Sequence, residues 1–190
     1  LHILEKQKEI FTELLTNLNI LEMTNLVSIS DVCSLLQRME IITRVRNTLK
    51  RSMIELGNEG AIIQMRIREL VKGVDKTFDM ILRDYLARPN ATKRLLASIN
   101  FDGLLDTNAL VRILFEESSD KQVSPKGYRL LRNLNLTERE LNSLVSNFKN
   151  IDNIFNANDE ELGRVLRQKV ESFKEELKNL KEQIMVGKKI

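Results

Sequence analysis

Two groups of cations are spaced for one kind of chemistry. Lys126, Arg129, Arg132 and Arg139 fall in one short stretch, and Arg164, Arg167 and Lys169 in another, on a helical pattern. If the fold brings both groups to one face, their ammonium and guanidinium heads can neutralise the phosphates of a nucleic-acid backbone without reading its bases. A third run, Arg38, Arg44, Arg46, Lys50 and Arg51, is opposed there only by Glu40. It lies along one long helical pattern, so its members point in several directions, as on a solvated face.

Other chemistries find little support. The pairs Glu116-Glu117, Glu160-Glu161 and Glu175-Glu176 read as solvated faces or first-turn charges, not as acid/base partners. His2 is the sole histidine, which excludes a Ser-His-Asp triad or a multi-histidine metal site. Cys33 is the sole cysteine, so no internal disulfide can form; it sits on an apolar pattern and reads as a small core residue in a reducing compartment. Gly57-Asn58-Glu59-Gly60 has glycine spacing, but its acidic neighbour repels phosphate, and it reads better as a tight connection between helices. The charge surplus is slight, +3 from 30 Lys and Arg against 27 Asp and Glu, and permits a nucleic-acid partner without demanding one. No apolar run is long enough to cross a bilayer and no charged-then-apolar leader opens the chain, so the expectation is a soluble, cytoplasmic protein. Leu1 stands where a start methionine would, which suggests a piece of a longer chain.

The elements that must position these cations are helical. Ile3, Leu4, Ile10, Phe11, Leu14, Leu15 and Leu18 hold a helical period for a first helix. Ser28 or Ser30 before Asp31 caps a second, long one, carried by Val32, Leu35, Leu36, Met39, Ile42, Val45 and Leu49 and stopped at Gly57. A third runs from Ile62 to Leu86 and ends at Arg88-Pro89. Shorter helices are expected over 92–101 and over 106–115, with Asp106 as a cap, followed by a polar linker over 116–123. After Pro125-Lys126-Gly127, Thr137 to Glu140 forms a capping box for a helix to Phe148. A short turn or helix over 150–155 follows, then a last helix capped at Asn158 and running to about Met185. No strand is needed: the fold class is all-α, a long-helix bundle or spine followed by a small helical module.

Several short segments occur in one order: the helix at Leu4-Glu5-Lys6, Ser30-Asp31-Val32, Glu55 to Gly60, Gly127-Tyr128-Arg129-Leu130-Leu131 and Phe148 to Leu162. In that order and spacing the chain resembles the C-terminal part of the bacterial DNA integrity scanning protein family. The family is known as a diadenylate cyclase domain that makes cyclic di-AMP from two ATP, a helical spine, and a helix-hairpin-helix module that engages branched DNA. The resemblance implies a spine over 1–115, a linker over 116–123 and a DNA module over 124–190. It implies DNA as a partner, with contacts from Lys126, Arg129, Arg132, Gly163, Arg164, Arg167 and Lys169. It also implies an N-terminal cyclase domain using ATP and a divalent metal, and self-association as an option. The cyclase motifs Asp-Gly-Ala and Arg-His-Arg are not in this chain, where Asp102-Gly103 is followed by Leu104, so no cofactor is expected here.

One departure bears on mechanism. Similar members follow Glu-Glu-Leu with a Val-x-Gly-Ile-Gly turn, whose glycines let backbone N–H groups approach a phosphate. Here Leu162 runs directly into Gly163-Arg164-Val165-Leu166-Arg167, as if the first hairpin glycine were deleted; only Gly163 matches the second. The expectation is therefore a single long helix from Asp159 to Met185, a degenerate module, and DNA contact through side-chain charge alone. The competing expectation is a helical scaffold for self-association or partner docking that has lost DNA recognition.

Overall fold

Residues 28–54, 57–116 and 118–185 are described by the structure, a computed structural model. The expected first helix, up to Leu18, lies outside them. Helix α1 (Ile29–Ile54) starts where Ser28 caps it: the Ser28 hydroxyl accepts from the Asp31 N–H at 3.2 Å, and the Asp31 carboxylate accepts from the Ser28 N–H at 2.9 Å. That reciprocal pairing satisfies two orphan donors of the first turn. The side chains of Val32, Leu35, Leu36, Met39, Ile42 and Leu49, recurring at three, four and seven, are all buried. They make α1 the axis on which the next helices pack.

The helix expected over 62–86 is two. Helix α2 (Gly57–Leu70) and helix α3 (Val74–Tyr85) are separated at Gly73, whose φ of 92° lies in the left-handed region. Glycine takes that conformation without a Cβ penalty, and it turns the chain between two halves of one apolar period. Pro89 then opens helix α4 (Pro89–Ser98) at its first turn, where its missing N–H would have been unsatisfied anyway. Asn100 caps α5 (Phe101–Leu105) and Asp106 caps α6 (Thr107–Phe115), each side chain accepting an N–H three residues on.

Phe78, Ile81 and Leu82 of α3 join Leu96, Leu104 and Leu110 from α4, α5 and α6 around α1. Cys33 is in this core, where burial pushes its thiol up to about 12, an inert group. Buried Glu40 holds the Arg44 Nε at 2.8 Å, and Arg44 Nη2 donates to the Leu96 and Ile99 carbonyls at 2.9 and 2.7 Å. A long side chain of α1 thereby supplies donors to the last carbonyls of α4. The segment after α6 returns to the start of α1: the Ser30 and Ile29 N–H groups donate to the Ser119 and Lys121 carbonyls, both at 3.0 Å. An isolated bridge between Ser28 and Gln122 accompanies them, and no strand occurs among the described residues.

A second hydrophobic cluster gathers α7 (Tyr128–Leu131), α8 (Glu138–Phe148), α9 (Ile151–Asn156), α10 (Asp159–Leu166), a 3-10 turn at Arg167–Lys169 and α11 (Val170–Met185). The Thr137 and Glu140 capping box opens α8, and Asn158 and Glu161 form another on α10. The single helix expected from Asp159 to Met185 is broken at Arg167, which takes φ 53° and ψ −114°. Lys174 Nζ of α11 pairs with Asp159 of α10, 15 residues away. In a continuous helix those positions would be about 22 Å apart along the axis, so α11 folds back along α10. The reason is burial: Leu162 and Leu166 of α10, and Phe173, Leu177 and Leu180 of α11, all reach the one core that contains Leu141 and Leu144. Gly163 lies inside α10, not at the turn, and a Cβ there would meet Val170 Cγ2 at 4.0 Å.

Asp84 joins the two clusters. It is 2% exposed, near the end of α3. Its Oδ1 accepts from the Gly127 and Tyr128 N–H groups at 2.9 and 2.6 Å, and its Oδ2 accepts from the Arg129 N–H at 3.0 Å. The Asp84 carbonyl accepts from the Lys126 N–H at 3.2 Å. Gly127, at φ 115°, makes the turn that aims these N–H groups at one carboxylate. Burial pushes the Asp84 carboxyl above its usual range, while the three backbone donors and the Arg129 charge pull it down without cancelling the rise.

Three outcomes are expected at this seam. Asp84→Asn keeps one acceptor oxygen but turns an NH2 toward the Arg129 N–H, and should cost about 1–3 kcal/mol in urea unfolding. Because the folded carboxyl titrates above the unfolded one, its contribution to stability is full below the ordinary value of 3.8 and is lost as pH rises through the folded value. Wild type should therefore lose stability relative to Asp84→Asn as pH is raised from about 4 toward neutrality, read as the difference between two denaturation series. Gly127→Ala should destabilise by about 1–2 kcal/mol from backbone strain alone. Its Cβ would also press on Ile151 Cδ1 at 3.1 Å.

Candidate nucleic-acid interface

The seven residues expected to contact DNA separate into two settings. Lys126, Arg129 and Arg132 are half-buried at the seam with α3. Lys126 Nζ donates to the Leu86 carbonyl at 3.2 Å, and Arg132 Nη2 donates to the hydroxyl of buried Thr77 at 3.3 Å. Arg129 gives its N–H to Asp84, and its charge lowers the Asp84 carboxyl and opposes the burial that pushes the Tyr85 hydroxyl up to about 12. Two groups not singled out by the sequence complete the seam. The Arg83 guanidinium stacks 4.0 Å from the centre of the Tyr128 ring and donates through Nη2 to Asn142 Oδ1 at 2.8 Å. No spacing signal marks Arg83 and Asp84; they belong to an ordinary amphipathic pattern until the partner segment is known.

Arg167 and Lys169 lie at the fold-back between α10 and α11, and Gly163 and Arg164 lie in the last turns of α10 before it. Arg164 Nη2 pairs with Glu160 at 2.8 Å, with both side chains exposed, at 72% and 80%. Lys169 Nζ pairs with Glu140 Oε1 at 3.0 Å, which ties the turn to the start of α8. The Thr137 N–H, first, and then the Lys169 ammonium hold the Glu140 carboxyl below its usual range. Arg167 is exposed at the turn itself, and among the described residues its side chain makes no ion pair or hydrogen bond. Exposed ion pairs contribute little, roughly 0–1 kcal/mol, so Arg164 can exchange its carboxylate for a phosphate at small cost. Gly163 offers no N–H to a ligand, being within a helix.

A further basic ridge was legible as an i, i+4, i+7 spacing but not singled out. Lys174, Lys178 and Lys181 line one side of a cavity of about 170 Å³ floored by Ile154, Phe155 and Leu177. Lys174 is held by Asp159, and Lys181 lies 5.4 Å from the Phe155 ring centre. Among the described residues no group of three His, Cys, Asp or Glu side chains could hold a metal ion. No described helix is long and apolar enough to cross a membrane.

Comparison with known proteins places the chain. Residues 1–122 match the family model described as the DisA bacterial checkpoint controller linker region. The DNA integrity scanning protein DisA of Carboxydothermus hydrogenoformans is 35% identical over 193 residues, covering 95% of this chain and 55% of that protein. Proteins of the same name from Clostridium kluyveri and from Clostridium botulinum strain Eklund 17B are 32% and 31% identical, over 100% and 98% of this chain and 56% of each relative. The chain thus spans little more than half the length of these relatives. With the family model extending over well more than half of its residues, the chain belongs to the DisA family.

Proposed function

We propose that this chain is the C-terminal, DNA-sensing and regulatory portion of a DNA integrity scanning protein. In this reading it binds branched DNA through backbone phosphates and couples that contact to cyclic di-AMP synthesis by an N-terminal diadenylate cyclase domain outside this chain. ATP and a divalent metal would belong to that domain, and the assembly would act in the cytoplasm. The observation that carries the reading is the exposed Arg167 at a tight turn, without a partner among the described residues and flanked by two further cations, the exposed Arg164 and Lys169. Such a turn presents cations to a backbone and no pattern of donors and acceptors to base edges, so it supports shape- and charge-driven binding. The name of the relatives, DNA integrity scanning protein, supports the same partner.

A second reading, a helical scaffold for self-association or partner docking, is favoured by one specific fact. Lys126 and Arg132 each give one side-chain donor to an acceptor of the first cluster, the Leu86 carbonyl and the Thr77 hydroxyl.

Fluorescence-anisotropy titration of the chain against a four-way junction and a linear duplex separates the two readings, because the salt slope counts phosphate contacts. Contacts from Arg164, Arg167 and Lys169 alone predict a log–log slope of about −2.7, or about fortyfold weaker binding between 50 and 200 mM salt. All six cations would give a loss on the order of a thousandfold. Arg167→Ala should flatten the slope by about 0.9 and weaken junction and duplex alike. Absence of binding even at the lower salt would leave the scaffold reading.

A further inference from the structure

We infer that the lysine-rimmed cavity beside α9, α10 and α11 is a docking site for an acidic segment of another protein, which buries one large apolar side chain in it. The cavity measures about 170 Å³, and its lining is of two kinds. Ile154, Leu162 and Leu177, buried in the second cluster, form its floor. Half-buried Phe155 and Ala157 and the exposed Lys174, Lys178 and Lys181 lie on its solvent side. Among the described residues no carboxylate lines it, although the chain as a whole carries nearly as many acids as bases, 27 against 30. Lysine stems cover apolar surface while their ammonium groups stay in water, so the site is apolar within and positive at its rim.

Size and charge select the occupant. A cavity of about 150 Å³ takes one benzene ring, so this one has room for a single phenylalanine or leucine side chain. A cofactor or drug-sized ligand needs roughly 300 Å³ or more. A nucleobase is disfavoured by its polar edge, which would lose water among lining side chains that offer no acceptor to its donors. The rim supplies the complementary charge. Lys178 makes no ion pair or hydrogen bond among the described residues, and Lys181 stands over the Phe155 ring at 5.4 Å. Lys174 is held by Asp159 in a solvent-exposed pair, which an incoming carboxylate can replace at small cost. The three lysines share one face of α11, so acids flanking the apolar anchor meet an ammonium group on each turn.

Fluorescence-anisotropy titration of the chain with two labelled peptides reads the site at about 50 mM salt and needs no DNA, so its outcome is independent of the DNA reading. One peptide is five aspartates followed by a phenylalanine; the other ends in serine instead. The phenylalanine peptide should bind about tenfold tighter, the gain expected from burying most of one aromatic side chain. Lys178→Ala should weaken both peptides about two- to fivefold and leave their ratio unchanged. Ala157→Leu, which fills the cavity from its wall without altering charge, should bring the ratio to about one while the serine peptide binds as before. Equal affinity of the two peptides for wild type, or a ratio that survives Ala157→Leu, overturns the docking site. If Lys178→Ala then flattens the salt slope of duplex DNA by about 0.9, the ridge is a phosphate surface instead. Sedimentation of the chain alone tests the remaining occupant: a dimer that Ala157→Leu dissociates puts a second copy in the cavity and overturns docking of another protein. Should Ala157→Leu not fold, the peptide ratio on the wild-type chain decides alone.

Discussion

The buried Asp84 carboxylate is the constraint on which the arrangement of the two helical clusters depends. A carboxylate removed from water without partners is costly by several kcal/mol, and here its acceptors are filled by three consecutive backbone N–H groups from a segment more than 40 residues away. Those groups are orphan donors at the start of α7, a helix of four residues that has too few internal bonds to define itself. Each side therefore satisfies a deficit of the other. Since backbone donors are used, the docking register is independent of which side chains the 126–132 segment carries, apart from the glycine that makes the turn. The remaining seam contacts, from the side chains of Arg83, Lys126 and Arg132, are additions to that fixed register.

Much of the fold arises from local chemistry in the chain. The Ser28 cap, the Asp106 cap and both polar boxes at Thr137 and Asn158 form where short polar residues precede apolar periods. The all-α class comes from the same periods. What failed, failed for tertiary reasons. Gly73 sits between two segments with one unbroken apolar period, and periodicity does not register a turn that keeps phase. Arg167 is neither glycine nor proline, so nothing local announces a break there. It breaks because Leu162 and Phe173 have the same core to reach. For the site, the basic residues were visible as a composition, but their division between seam and surface was not. That division depends on Asp84 and Thr77, and a buried acid on an amphipathic helix looks in sequence like any other polar position.

The fold-back also gives Arg167 its character. A non-glycine residue at φ 53° is strained by roughly 1–3 kcal/mol and persists only where the surroundings impose it. Here the imposition comes from both sides, from the core contacts of α10 and α11 and from the Asp159 to Lys174 pair that holds them together. The turn is thus rigid where a glycine loop would be permissive, and its side chain is a guanidinium standing clear of the acidic groups that hold its neighbours.

The return of the 118–122 segment onto the first turn of α1 has a mechanical consequence. The first turn of α1 and the 118–122 segment are joined by the Ile29 and Ser30 backbone bonds, both 3.0 Å. A pull applied between the backbone at Ser28 and the backbone at Gln122 is borne first by that short clamp and not by the helices, which lie outside the load path like a loop on a tied string. The helices thus feel tension only after the clamp parts, whereas a displacement of α3 through Asp84 reaches them at once. Force along the backbone and motion through the seam therefore reach the same body by separate routes, one thresholded and one immediate.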